Sequence, residues 1–522
     1  MSSKPNPAVM KNNIVFFLVS VILVAACDSS PKVDLLAEGI PLKMAEYRVN
    51  QVSNVVYTLS FDIPSEKEEP IPSRLKLNLD VHDLSQPLYL DFNANASLLK
   101  TVQVNGEAQE INHSKEHIIV TDNLKEGPNT IEISFDAGEL SLNRNDDFLY
   151  TLLVPDRAST LFPCFDQPNI KARYILDVTA PSGWKVLSGA PLVESGEKGD
   201  KVHYSFDESD PMSTYLFSMV AGKFESVTEN PGLFDMTLLY RETDSAKIDY
   251  SLPIIFDIHQ RSIDFLKDYT RYEFPFQKLD FAAIPGFQYG GMEHVGTIQY
   301  RQSSIFLDES ATERQRMGSA KLIAHEASHM WFGDMVTMDW FNDVWMKEVF
   351  TNFMADKIIN PAFPDINHNL QFMISHYRGA YGEDRTRGTN PIRQRLDNLK
   401  NAGSLYGGII YNKAPIMMRQ LEAAIGEKAF REGIREYIST YAYGNATWND
   451  LVNILDEKSP KDLKKWSEIW VNQSGRPILT DEISYENGKI KSFTITQHAE
   501  DGSDKLWPQS FEVTLVYPDS IR

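Results

Sequence analysis

The sequence predicts a multidomain α+β protein, with an N-terminal antiparallel β domain, a mainly helical central domain and a partial C-terminal β domain. Three observations predict it. Strict apolar alternation marks the first half: in RLKLNLDV (74–81) Leu75, Leu77, Leu79 and Val81 share one face, and in NTIEISF (129–135) Ile131, Ile133 and Phe135 do the same. From about residue 245 the apolar spacing lengthens to three and four, in SLPIIFDIHQRSIDFLKDY (251–269), KAPIMMRQLEAAI (413–425) and WNDLVNILDEK (448–458). Near the end, ISYENGKIKSFTITQ (483–497) returns to alternation around Asn487-Gly488, a hairpin signal, and FEVTLVY (511–517) reads as a further strand.

Taken in order, residues 1–26 have the layout of a secretory signal: Lys4 and Lys11, then an apolar run from Ile14 to Ala26 too short to span a bilayer, closed by small residues. VAAC, Val24 to Cys27, resembles the bacterial lipoprotein box, which implies export to the bacterial cell envelope or periplasm and a lipid anchor on Cys27 holding the protein to a membrane. Residues 27–50 read as a polar tether without clear period. The β domain is expected over 51–235, with turn signals at NGE (105–107) and EGPN (126–129), the helical domain over 236–475, and the start of a β-sandwich over 476–522 that reads as truncated.

Composition bounds the function classes. With 522 residues, 42% hydrophobic and 11% aromatic, the chain has ordinary globular content, which excludes disorder for most of it. A formal net charge of −21 argues against nucleic acid as a partner. Of the two cysteines, Cys27 belongs to the lipoprotein box, so Cys164 has no intramolecular partner and the fold rests on its core.

The chemistry concentrates in HEASHMWFGDMVTMDWFNDVWMKEVF (325–350). His325 and His329 stand four apart, so on a helix both imidazoles project from one face and can share a metal, with Glu326 beside them. Two histidines alone also suit a surface helix. Glu348, with 18 residues between it and His329, lies in a second helical stretch and can return as a third ligand. Three protein ligands leave one position on a catalytic zinc for water, whose pKa falls there to about 7, whereas a structural zinc is closed by four. Glu326, one residue from His325, points elsewhere and suits a general base.

At this spacing the segment resembles the gluzincin zinc aminopeptidases of the aminopeptidase N and leukotriene hydrolase family. LFPCFDQPNIKARY (161–174), FPFQKLDFAAIPGFQYGGMEH (274–294) and WVNQSGRPIL (470–479) resemble three further family segments in the right order. The resemblance implies a thermolysin-like, mainly helical catalytic domain and one zinc ion per chain on His325, His329 and Glu348. It implies Glu326 as the base, peptide substrates with a free N-terminus, and removal of their N-terminal residues. GGMEH (290–294) stands where the family's GAMEN occurs, which implies Glu293 as anchor for the substrate α-ammonium, with Gly290, Gly291, Met292 and His294 lining the peptide. In IIYNKAP (409–415), Tyr411 matches the family tyrosine that donates a hydrogen bond to the oxyanion.

The chain also departs from the pattern. TLLVP (151–155) stands where the family has T-Q-x-E-P, so Leu152 replaces a glutamine and Val154 an acid that helps hold the amine, leaving Asp156 as the nearby carboxylate. His294 replaces the GAMEN asparagine, and Lys347 and Val349 replace Asn and Gly beside the zinc glutamate. None of these removes a ligand or the base. They keep open a peptide-binding scaffold that retains the fold without the chemistry, and, from the leukotriene branch, a non-peptide (epoxide) hydrolase.

Overall fold

The alternating segments pair with one another as their apolar faces require. In the computed structural model, which describes residues 35–517 together with 519 and 521, strand Pro72–Val81 runs antiparallel to Gly127–Asp136 with Leu75 opposite Ile133 and Leu77 opposite Ile131. All four are buried, so one pleated face builds the core. These two strands sit inside an eight-stranded sheet whose order is 192–198, 201–206, 173–181, 52–62, 72–81, 127–136, 99–104, 107–109. Every pairing in it is antiparallel except 52–62 with 173–181, which is parallel. The NGE turn closes a hairpin between 99–104 and 107–109, with Asn105 at φ 52° and Gly106 at φ 86°, as a two-residue turn demands. A four-stranded and a three-stranded sheet complete this β region.

The tether expected over 27–50 is helical from Leu42 to Gln51. Its period is hard to see because a charged residue faces inward: Met44, Ala45, Arg48 and Gln51 are the buried positions. Arg48 is tolerated there because Asp91 receives its guanidinium in a fork, at 2.8 and 2.5 Å. The signal segment 1–26, Cys27 and the start of the tether lie outside the described residues. Among the described residues no helix is long and apolar enough to cross a membrane.

The helical region also contains a sheet. Its five strands run in the order 225–229, 236–240, 280–284, 297–301, 291–292, so the hairpin 225–240 belongs to this sheet although its first strand, 225–229, precedes the domain boundary expected after 235. Two-residue Gly291–Met292 is an edge strand, antiparallel to Thr297–Arg301. Helices Ser245–Thr270 and Glu313–His329 pack against this sheet, Trp345–Ile359 packs on those two helices, and Ala414–Ile425, Glu427–Tyr441, Trp448–Glu457 and Leu463–Trp470 follow.

Beyond Trp470, strands Pro477–Glu486 and Lys489–Ala499 form the expected hairpin, turning at Asn487 (φ 52°) and Gly488 (φ 75°). The further strand expected at 511–517 does not form; only Val516 makes an isolated bridge, to Ile521. Phe511, Val513 and Val516 stay exposed, so alternation there meets no partner strand to pack on.

Candidate active site

Two helices and one strand edge bring the motif residues together. Helix Glu313–His329 starts at a capping box, in which Thr312 Oγ1 accepts from the Gln315 N–H while Gln315 Oε1 accepts from the Thr312 N–H at 3.0 Å. It ends at His329, and Gly333 follows at φ 127°; a Cβ there would stand 3.1 Å from His329 Nδ1, so only glycine lets the chain turn so close to the imidazole. Helix Trp345–Ile359 carries Glu348 in its first turn, and Lys321 on the first helix donates to Asp356 on the second at 2.6 Å, fixing one against the other.

The Nε2 atoms of His325 and His329 lie 3.2 Å apart, and Glu348 Oε2 lies 3.7 Å from His325 Nε2. A carboxylate oxygen of Glu348 is within 4.8 Å of one His329 ring nitrogen, as is one of Glu293. Ligand atoms about 2.0–2.1 Å from a tetrahedral zinc stand about 3.3 Å from one another, so the two imidazoles already have the right separation and the carboxylate is within a small side-chain movement of it. The other ring nitrogens set the tautomers. His325 Nδ1 donates to Asn352 Oδ1 at 3.1 Å and His329 Nδ1 to the Phe332 carbonyl at 3.1 Å, which leaves both Nε2 lone pairs directed inward. Asn352 is oriented in turn by its Nδ2, which donates to the Glu348 carbonyl at 2.8 Å. Burial lowers both histidines, His329 to about 4, so they are neutral donors at ordinary pH. The residues therefore fit a divalent metal of the zinc type.

Glu326 is 4% exposed and packs on the edge strand: a Cβ on Gly291 would come within 2.4 Å of its Oε1. Its carboxyl is raised well above the usual range by burial first, then by the carboxylates of Glu293 and Glu348. Gly290 accepts from the Arg301 N–H at 2.8 Å, and Met292 pairs with Gln299. His294 is wholly buried, with neither ring nitrogen hydrogen-bonded among the described residues, so its ring does not line an accessible surface. Tyr411, 42% exposed, sits in the turn Ile409–Lys413, whose position is fixed by His376 Nδ1 donating to the Tyr411 carbonyl at 3.0 Å. Burial and then the Glu348 carboxylate raise its phenol, which keeps it a neutral donor. Tyr411, Asn352 and His376 border a cavity of about 370 Å3.

Glu293, 4% exposed, already has a cationic partner. Lys347 Nζ donates to Glu293 Oε1 in a very short contact, lies 3.3 Å from Glu348 Oε1 and sits over the Tyr215 ring, 5.2 Å from its centroid. Burial alone would raise the Glu293 carboxyl, but Lys347 more than offsets this and holds it below the usual range. The sequence marked Lys347 only as a replacement; its partner, 54 residues away in the chain, is visible only in the fold. Tyr406, whose hydroxyl is buried without a partner among the described residues, and Asn352 were not singled out either, and no spacing signal marks them. Val154 is half-buried and Leu152 buried. Asp156 is raised to about 7 by burial, and the charges acting on it most strongly are those of Asp166, Arg157, Glu116 and Asp91, none of them among the site residues.

The PCFDQPNIKA segment supports the site from outside. Lys171 Nζ donates to the carbonyls of Asp334 and Met335, both at 2.8 Å, in the turn that follows His329, and burial lowers this ammonium to about 7. Asn169 Nδ2 donates to Asp339 at 3.2 Å nearby.

Comparison with known proteins agrees with this geometry. Residues 254–470 match the model of the Peptidase family M1 domain, and residues 76–216 that of the Peptidase M1 N-terminal domain. The chain is 30% identical over 426 residues to "Probable aminopeptidase 1" of Sulfurisphaera tokodaii, covering 80% of this chain and 53% of that protein. It is 31% identical to "Leucyl aminopeptidase" of Saccharolobus solfataricus, over 74% of this chain and 50% of that one, and 33% identical to "Aminopeptidase N" of Streptomyces lividans, over 67% and 41%. It thus spans about half the length of these relatives. With both family models matched in chain order and His325, His329 and Glu348 inside the Peptidase family M1 domain, the chain belongs to peptidase family M1.

Proposed function

We propose that the protein is a zinc-dependent aminopeptidase that hydrolyses N-terminal residues from peptides, with zinc held by His325, His329 and Glu348. The observation that carries this reading is the approach of two tautomer-fixed imidazoles and one carboxylate beside Glu326, at the edge strand Gly291–Met292. Bound there, zinc supplies Lewis acidity and brings the pKa of water to about 7.

The chain's own groups do the rest. Glu326 takes the proton of the attacking water and delivers it to the leaving amine; its raised affinity for a proton suits it to hold that proton between the two events. Tyr411 donates its phenolic hydrogen to the oxyanion that develops on the scissile carbonyl. The edge strand offers Gly291 and Met292 backbone groups to an extended peptide, and glycine at 290 and 291 keeps that approach free of side chains. Glu293, paired with Lys347, follows that edge strand where the substrate terminus is expected. Export, and lipid attachment at Cys27, are supported by the sequence of the first 27 residues; the intact mass of the mature protein tests both.

Purified protein is expected to hydrolyse aminoacyl anilides, to lose this activity with a chelator and to regain it with zinc. Glu326→Gln is expected to retain stoichiometric zinc with kcat lowered about 10²–10⁴-fold. Turnover near the wild-type rate in that variant would remove the base from this scheme, and failure of the wild type to hold zinc would remove the enzyme.

A further inference from the structure

The pairing of Lys347 with Glu293 bears on which peptides the site accepts. Both side chains are buried, at 4% and 5% exposure, and the lysine is held on several sides. Glu293 and Glu348 lie against its ammonium, the Tyr215 ring lies beneath it, and Gly333 packs against its stem so closely that a Cβ there would stand 3.2 Å from Lys347 Cβ. This is an ammonium built into the protein, in contact with the carboxylate expected to receive a substrate ammonium. A free N-terminus entering the cleft has to displace it, leaving a buried lysine without its partner, or stand beside it as a second positive charge. Among the described residues the carboxylates that act on this pair offer no relief. Glu348 and Glu326 are committed to metal and proton, Asp334 is wholly buried, and Leu152 and Val154 are apolar.

We propose that Lys347 is the specificity-determining residue of this site: its ammonium fills the cationic subsite at Glu293, so the protein accepts peptides whose N-terminal nitrogen is uncharged, such as N-acylated peptides, about as readily as free N-termini. The inference rests on the zinc peptidase reading above. It also makes Lys347 a donor to the substrate, since the ammonium has a third hydrogen to offer to the carbonyl of an N-acyl group or of a preceding peptide unit.

The test compares kcat/KM for aminoacyl anilides and their N-acetyl counterparts, using the zinc-loaded full chain and its Lys347→Asn variant. The wild type is expected to favour the free amine by no more than about ten-fold, and the variant by at least about ten-fold more than the wild type, through a lower KM for the free amine. A Lys347→Met variant, which keeps the volume of the stem, serves if Asn does not fold. If neither folds, calorimetric binding of a free and an N-acetylated peptide amide to zinc-loaded Glu326→Gln gives the wild-type preference directly. A larger preference for free amines in the wild type, or a ratio that does not move in the variant, overturns the inference and leaves the peptidase reading standing. Turnover of neither substrate by the wild type overturns that reading first, and the inference with it.

Discussion

Two of the buried charge clusters among the described residues are finished differently. In the β region Asp91 accepts four hydrogen bonds: two from Arg48 at 2.8 and 2.5 Å, one from His117 Nδ1 at 2.7 Å and one from the Asp166 N–H at 2.8 Å. Every lone pair of that carboxylate is used. Around the candidate metal site, by contrast, both Asp334 oxygens and the Tyr406 hydroxyl are buried without partners among the described residues. Burying polar groups unpaired is costly, and at this site the unpaired groups stand beside the residues proposed to hold a metal ion. The closed cluster holds the fold together; the open one leaves room for a metal ion, water and substrate.

This contrast can be broken by exchanging the consequences. Glu326→Gln is expected to lower kcat by about 10²–10⁴-fold while leaving the urea midpoint unchanged, because the group takes part in proton transfer and supports no neighbour. Arg48→Met is expected to do the reverse. It leaves Asp91 with His117 and the Asp166 N–H but without its guanidinium, which costs about 3–5 kcal/mol in denaturant unfolding, without changing kcat of the folded fraction. A loss of turnover as large as that of Glu326→Gln would merge the two clusters into one functional unit.

Smaller effects sharpen the comparison. Gly291→Ala pushes a methyl group onto Glu326 Oε1 and is expected to cost about 10²-fold in kcat with zinc content intact. Asn352→Ala frees the His325 ring and is expected to weaken zinc about 10–100-fold in competition with a chelator. The pH response follows from Asp91. Burial opposes its ionisation, but Arg48 and His117 hold its carboxyl below the usual range. Its contribution to stability is therefore complete above the unfolded carboxylate pKa of about 4 and is lost as pH falls through the lower folded value. Asp91→Asn is expected to flatten that acid limb in thermal unfolding, and an unchanged limb would show that other carboxylates carry it.

Legibility in the sequence followed the range of the interaction. Leu75, Leu77, Leu79 and Val81 announced a strand face because alternation is local, and His325, Glu326 and His329 announced a metal-binding helix because one turn spans them. Helix Leu42–Gln51 stayed hidden because its central inward residue is an arginine whose partner lies 43 positions on. Lys347 was visible as an oddity, but its contact with Glu293 depends on a sheet edge meeting a helix that lies far along the chain. The segment 511–517 misled in the opposite way: alternation makes a strand possible, and a neighbour is needed to make it one.

Lys171 ties the chemistry to a distant part of the chain. A single ammonium from the β region grips the two carbonyls of the turn that leaves His329, so the metal-binding helix is clamped at its exit by a residue more than a hundred positions upstream. A fragment beginning after the β region would carry all three ligands and the base, yet the exit turn would be unmoored and the ligand geometry released. The β region and the helical region are therefore expected to fail together when that ammonium is removed.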